Sequence, residues 1–317
     1  MTLKNNSTNS KIKITVIINV YNGEKYIKRA INSILEQTYK PFEIIVWDNC
    51  STDNTALIVQ EYSYVKYFRS LNNTTLGQAR EEARKLANGN WISYLDCDDF
   101  WYNNKLEDQI NYVDSSVGLI YSGVDEIDVN GNLINKRFPL YKSGFMLAEQ
   151  LTRFDIDMVT PLINNKLLNK YHLGFNPIMV ASEEQDLFLK ICAKSKIISI
   201  NKIHAASTIR EDSLTNKSIK FWAKEREITL NALEKILDNN KYSKEIFKAR
   251  LQAKYYKARY LAERNKFNQV RKIMRNLIFF RKTYFFLYLI SFSPWAWKFI
   301  HKRSLKVILT KFFKINA

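Results

Sequence analysis

Residues 14–20 (ITVIINV) run almost continuously apolar over the length of a strand. Tyr21-Asn22-Gly23 supply a turn, and Ile27, Ala30, Ile31, Ile34 and Leu35 then recur at helical spacing. That change of period predicts strand, turn and helix in succession. Residues 43–47 (EIIVW) repeat the strand signal, residues 48–53 (DNCSTD) bring loop and capping chemistry in which Asp53 is placed to cap, and residues 56–62 continue as helix. Strands alternating with helices in this way predict parallel pairing and an α/β fold.

Further along, residues 65–69 suit a short strand and residues 77–88 an Ala-rich helix closed by Gly89. Residues 91–95 (WISYL) form a strand that runs straight into Asp96-Cys97-Asp98-Asp99. Residues 117–122 read as another strand, and Asn130-Gly131 between two apolar stretches signals a hairpin, so the sheet becomes mixed in its second half. Residues 183–193 are helical in pattern and residues 197–209 largely extended; from Ser218 onward the pattern is helical and basic. The divisions expected are a polar tail at 1–13, an α/β domain at 14–216 and a basic helical region at 217–317.

Composition narrows the class. With 317 residues, 46% of them apolar and 14% aromatic, the chain can bury a full core, which excludes a disordered protein. Eight Gly and five Pro exclude collagen-like and Pro-rich architectures. Cys50, Cys97 and Cys192 are odd in number and lie in no metal-ligand spacing, so a disulfide framework is not expected and a reducing compartment fits. Residues 1–13 lack an apolar stretch that would direct secretion, which points to the cytoplasm.

Charge changes the picture for the last third. Residues 217–317 hold 25 Lys and Arg against 6 Asp and Glu, whereas residues 1–216 are near neutral. After Glu263 thirteen basic residues follow without one acid. Residues 284–297 (YFFLYLISFSPWAW) form an uncharged aromatic run flanked by Arg281-Lys282 and Lys298, too short and too interrupted by Pro294 to span a bilayer. Leu305, Ile308, Leu309, Phe312 and Ile315 recur at helical spacing, with Arg303, Lys306, Lys311 and Lys314 on other faces. The pattern predicts an interfacial membrane segment near 278–317 on an anionic surface, the alternative being aromatics packed back onto the protein beneath a solvated basic face. No nucleic-acid module accompanies the charge, so nucleic acid is not an expected partner.

The candidate chemistry is carried by acids at strand ends: Asp48 after the second strand, and Asp96, Asp98 and Asp99 after a later one. In open α/β sheets ligands bind outside those carboxyl ends. Carboxylates crowded together repel, and a hard divalent cation with a diphosphate is their natural neutraliser, Mn2+ or Mg2+ by the oxygen ligands on offer.

Several ordered segments across residues 14–215 resemble the family 2 glycosyltransferases of GT-A fold: ITVIINVYN from Ile14, IIVWDNCSTDNT from Ile44, LGQAREEARKLANG from Leu76, the Asp96-Cys97-Asp98-Asp99 quartet continuing into FWYNNKLEDQ, EEQDLFL from Glu183 and REDSLT from Arg210. The resemblance implies a Rossmann-like mixed sheet flanked by helices. It also implies roles: Val20 and Tyr21 line the uracil and ribose pocket, Asp48 hydrogen-bonds the base, Arg80 lies near the nucleotide, and Asp96 faces the ribose. Asp98 would hold the metal, with Asp99 a second ligand or a support behind it, and Arg210, where His is common, would hold the diphosphate. Trp101 matches an aromatic at the mouth of the acceptor site, with simple packing as the alternative. Glu184 is the general base, with Glu183 and Asp186 as rivals because acids in a first helical turn also serve the helix dipole. Asn19, Cys50 and Glu81 depart from the family's usual Pro, Gly and Asn.

The implied activity is an inverting, metal-dependent transfer from a nucleotide diphosphate sugar, a UDP-sugar by the resemblance, to a glycan hydroxyl. With the basic aromatic region, the acceptor expected is lipid-linked and the enzyme peripheral on the cytoplasmic face of the plasma membrane. Two alternatives stand beside it. A sugar-nucleotide nucleotidyltransferase would want a Gly-rich, Lys-bearing loop after the first strand, which residues 20–24 do not supply; a non-catalytic membrane or polyanion binder would need only residues 217–317.

Overall fold

The computed structural model describes residues 12–210, 218–237 and 240–301. The apolar repeat between Leu305 and Ile315, and the residues that follow Arg210 in its segment up to Thr215, lie outside them. The chain separates into two compact units, Met1–Ser213 and Leu214–Ala317.

In the first unit β1 (Ile14–Val20) is buried at every position, as its apolar run requires, and pairs in parallel with β2 (Glu43–Asp48) and β4 (Trp91–Asp96), while β3 (Val65–Arg69) adds to the far side of β2. The connecting helices are α1 (Ile27–Leu35), α2 (Thr55–Gln60) and α3 (Leu76–Lys85). Val16, Ile18 and Val20 face α1 and join Ile27, Ala30, Ile31 and Ile34 in one core. Thr15 sends its side chain to the other face, where its hydroxyl donates to Glu43 and accepts from the Gly89 N–H.

Gly89 does not close α3, which ends at a right-handed Leu86. A Cβ on Gly89 would stand 2.6 Å from the Thr15 nitrogen, so glycine is there for close approach of two backbones, not as a cap.

Past β4 the sheet turns mixed. It takes in β5 (Phe100–Trp101), β6 (Val117–Ile127), β7 (Leu133–Arg137), β8 (Leu162–Asn164) and β9 (Lys196–Thr208), in the order β3-β2-β1-β4-β8-β6-β9-β5 with β7 on β6. β8 is antiparallel to β4 and β6, and β9 runs parallel to β6. The Asn130-Gly131 hairpin is present: Asp128 accepts from the Asn130 and Asn132 N–H groups, and Gly131 has φ +86°, where a Cβ would be strained. The helices of this half are α4 (Lys105–Ile110), α5 (Leu147–Thr152), α6 (Asn165–Lys170) and α7 (Glu183–Lys194).

The second unit contains α8 (Ile219–Ile236), α9 (Ser243–Glu263), α10 (Phe267–Arg275), α11 (Lys282–Ile290) and α12 (Pro294–Ile300). Arg250 of α9 holds α8 through Glu227, Asn231 and Glu234. Leu251, Ala258, Leu261, Phe267, Val270, Met274, Tyr284 and Trp297 share one core. The aromatic run therefore divides. Tyr284 and Trp297 pack inward, while Phe285, Phe286, Leu289, Phe292 and Trp295 stay exposed, Trp295 at 73%. Among the described residues no helix is long and apolar enough to cross a membrane.

Candidate active site

The carboxyl ends of β1, β2 and β4 lie side by side, with Val20 in register with Asp48 and Asn19 with Asp96. Two loops meet above them and lock each other. Asn22 N–H donates to Ser51 Oγ, Gly23 N–H to Thr55 Oγ1 and Glu24 N–H to Asp53 Oδ2; in return Thr52 N–H donates to Asn22 Oδ1 and Asn54 N–H to Glu24 Oε2. Asp53 also accepts from the N–H of Thr55 at the start of α2, the capping contact expected of it.

Asp48 lies inside this lock with no exposed surface: it accepts from the Ser51 N–H at 2.7 Å and the Tyr67 hydroxyl at 2.6 Å. Burial and the Asp48 charge push the Tyr67 hydroxyl up to about 12, so it remains a donor. Asp48 thus organises the loop. Val20 is also enclosed, its side chain in the α1 core and its carbonyl taken by the Asn49 N–H. Tyr21 is half exposed.

At the end of β4 the acids take distinct positions. Asp96 has 36% of its side chain exposed and Asp98 18%. Burial and Asp96 raise the Asp98 carboxyl, with Arg210 and Arg29 pulling against them. Asp99 points inward and accepts from the Thr208 N–H at 2.7 Å; burial, Asp98 and Asp96 push it well above the usual range. It ties the aspartate turn to the end of β9. Trp101 is enclosed: it is 2% exposed, its indole N–H donates to the Val159 carbonyl at 2.8 Å, and Lys105 Nζ lies 3.9 Å from its ring centre. That is the packing alternative that the motif left open. Lys105 itself is fully buried on Ser93 and Gln109, and burial drives its pKa well down.

Arg80 joins the two sides of the site. From α3 it donates to Asp96 at 2.8 Å and to Glu183 at 2.5 Å, with 4% of its side chain exposed. Burial opposes its charge, but Asp96, Glu183 and Glu184 outweigh it and raise its pKa. The three acids of α7 are thereby separated. Glu183 is committed to Arg80 and Asp186 to Lys190 at 2.5 Å, both out of solvent. Glu184 is only half buried, and desolvation with the Glu183 charge raises its pKa well up while Arg80 restrains it.

Comparison with known proteins identifies the family. Residues 15–171 match the model of glycosyl transferase family 2. Over 211 residues the chain is 31% identical to an Escherichia coli UDP-Glc:alpha-D-GlcNAc-diphosphoundecaprenol beta-1,3-glucosyltransferase, WfgD, covering 66% of this chain and 81% of that one. The chain belongs to glycosyltransferase family 2. Solved structures share the fold of this family 2 glycosyltransferase. S. aureus TarS 1-349 with UDP-GlcNAc superposes at TM-score 0.65 with 18% identity over 93% of this chain and 92% of that one. A Pyrobaculum calidifontis mannosyltransferase with GDP-Man and Mn2+ superposes at 0.58 with 15% identity over 96% and 89%. The GT-A fold class expected of the sequence is therefore the one present.

Among the described residues no three His, Cys, Asp or Glu side chains of this glycosyltransferase converge as a ready metal cage. The donor set at the end of β4 still fits a hard cation. Asp96 and Asp98 offer accessible carboxylate oxygens, and a cation of the Mg2+ type is commonly held by one or two carboxylates, with water and substrate phosphate completing it.

Sequence reasoning missed several supports. Arg29 of α1 donates to the Asp98 carbonyl and to Thr208 Oγ1, and Thr208 Oγ1 donates to the same carbonyl. Glu81 accepts from the Phe175 N–H and binds Arg84, fixing the loop that leads to α7. The Arg29–Asp98 and Glu81–Phe175 contacts have no local signal, since each joins residues far apart in the chain, whereas Glu81–Arg84 is an i,i+3 pair on one helix. Asn19 had one, as a polar residue inside an apolar strand. It is 9% exposed, and both amide atoms lack a hydrogen-bond partner among the described residues.

Proposed function

We propose that this enzyme transfers a sugar from a UDP-sugar to a hydroxyl of a lipid-linked glycan, with inversion, at the cytoplasmic face of the plasma membrane. One observation carries the reading: the buried Arg80 hydrogen-bonds both Asp96, two residues before Asp98 in the aspartate turn, and Glu183, the neighbour of Glu184 at the start of α7.

In this reading Tyr21 and the locked loops receive the nucleoside, with Asp48 holding the loop in shape. Asp98 and Asp96 would hold Mn2+ or Mg2+ against the diphosphate; the cation, when bound, offsets the negative charge that develops as the nucleotide departs. Arg210 adds donors to the same oxygens. Glu184 takes the proton of the acceptor hydroxyl as it attacks the anomeric carbon opposite the leaving diphosphate, and one displacement inverts configuration. Its raised pKa suits a base, because a carboxylate of ordinary acidity holds a proton weakly. Asp99 and Trp101 support the site from behind without touching substrate.

The acceptor class rests on two supports. The relative WfgD is named for a diphosphoundecaprenol-linked acceptor. The second unit carries exposed Phe285, Phe286, Leu289, Phe292 and Trp295 beside Arg281, Lys282 and Lys298, the composition of an interfacial helix pair at an anionic leaflet. Vesicles containing phosphatidylglycerol should therefore bind the full chain, and Phe286→Ser with Trp295→Ser should release it. Equal flotation with neutral phosphatidylcholine would remove the anionic-surface part of the proposal.

The test of the activity is release of nucleoside diphosphate from a panel of nucleotide sugars with Mn2+ or Mg2+, with and without lipid-linked acceptor. A UDP-sugar should be turned over, and Glu184→Gln should abolish acceptor-dependent release. Full transfer in excess chelator would reject metal use.

A further inference from the structure

Two arginine–aspartate pairs stand at the end of β4, and they differ in exposure. Arg80 holds Asp96 with 4% of its side chain exposed and is also tied to Glu183. Arg210 holds Asp98 Oδ2 at 2.9 Å with 24% of its side chain exposed, and its guanidinium lies 5.0 Å from the Tyr26 ring centre.

The backbone around the second pair is fixed. Thr208 N–H donates to Asp99, Thr208 Oγ1 to the Asp98 carbonyl, and Arg29 clamps both Thr208 and that carbonyl. Two residues past this staple, the Arg210 side chain is partly exposed, and the Tyr26 face gives it a favourable contact besides Asp98.

We propose that Arg210 is an internal counter-ion for Asp98 that yields its place only when a divalent cation arrives together with a diphosphate, making cation binding conditional on the nucleotide. This rests on the reading of Asp98 as a metal-binding residue. A bare cation reaching Asp98 must evict a guanidinium, which loses that carboxylate. A cation arriving with a diphosphate brings phosphate oxygens within reach of the displaced guanidinium, and charge-assisted bonds to them replace the lost one. The same arginine thus opposes the cation alone and favours it with nucleotide. By thermodynamic reciprocity the cation in turn favours nucleotide binding. Asp96 cannot take part in the exchange, because Arg80 is buried and held by Glu183 as well.

The experiment is titration of Mn2+ into the full chain, followed by calorimetry and by the electron paramagnetic resonance of free Mn2+, with and without UDP. The wild type should bind Mn2+ weakly alone and at least about tenfold more tightly with saturating UDP. Arg210→Ala should bind Mn2+ without nucleotide about tenfold more tightly than wild type, and its affinity for UDP in the presence of Mn2+ should fall. Arg210→Gln, which keeps a polar side chain and loses the charge, should change Mn2+ binding in the same direction if the alanine variant is unstable. Nucleotide-free Mn2+ affinity in Arg210→Gln or Arg210→Ala equal to or weaker than wild type overturns the proposal. An Asp98→Asn variant separates it from the reading beneath it: unaltered Mn2+ affinity with UDP would show that Asp98 is not a metal ligand at all.

Discussion

Arg80→Gln removes the one charge shared between Asp96 and Glu183. Glu183 is 1% exposed and its Oε1 stands 2.5 Å from the guanidinium, so the variant leaves a carboxylate in the interior without its cation. Breaking one side of a buried pair destabilises by about 3–5 kcal/mol, a large part of the roughly 5–15 kcal/mol that holds a domain together. At about 2–4 °C per kcal/mol for a domain of this size, the fall in Tm is on the order of 10 °C. Glu183→Gln should hurt less, because Arg80 keeps Asp96 at 2.8 Å and an amide oxygen can still accept from it. The double variant, two neutral amides facing each other, should recover much of the loss, with a coupling of about 2 kcal/mol in a double-mutant cycle. Calorimetry of the four proteins at neutral pH reads the cycle. If the two single losses simply add, Arg80 and Glu183 are not the unit described here. The stabilised double variant should remain poor in transfer, with the loss in kcat, since α7 no longer has a charged tie to Asp96.

Glu184→Gln should abolish transfer yet raise Tm at pH 7. The folded carboxyl keeps its proton to higher pH than the unfolded one, so ionising it withdraws stability as pH rises through the folded value; the gain of the variant should vanish below about pH 4, where both states are protonated. Equal Tm at pH 7 would contradict this, and the acid limb of wild-type transfer should lie above the ordinary carboxylate range for the same reason. Trp101→Phe should lose about 1–3 kcal/mol through the unpaired Val159 carbonyl, with acceptor KM unchanged; a KM effect without destabilisation would return Trp101 to the acceptor site. Asn19→Val should stabilise by about 1 kcal/mol by removing a buried amide with no partner among the described residues, and a drop in urea midpoint would indicate an internal water bridging it.

The parallel half of the sheet was legible because β1, β2 and β4 are apolar runs bounded by turn residues, and the acids at their ends identify the edge where ligands bind. The second half was legible only where it was long. β5 and β8 have two and three residues, too few for any period, and they exist because neighbouring strands leave ladder positions for them. Trp101 was open to two readings because a motif gives position along the chain, whereas the fold decides which face of β5 is enclosed. Arg80 and Glu183 lie 103 residues apart, so no local pattern could join them; it took α3 and α7 arriving at the same strand end.

The departures from the family pattern are absorbed unevenly by the fold. Cys50 sits at φ +69°, a conformation in which glycine is at ease, and the surrounding lock of Asp48, Ser51 and Asn22 holds it there. Glu81 replaces an amide with a charge, and the charge is used: its carboxylate takes the Phe175 N–H and Arg84, filling the space where a Cβ on Gly174 would fall within 2.5 Å of it. Gly77, one turn earlier, leaves room for the Asn176 carbonyl at 2.2 Å from where a Cβ would stand. One short helix, α3, therefore fixes the loop entering α7, the helix that carries Glu184, through Gly77 and Glu81, and fixes Asp96 through Arg80. The distance between Asp96 and Glu184 is then set by packed backbone and a buried ion pair. A defect in α3 should for that reason appear in the rate of transfer before it appears in nucleotide affinity.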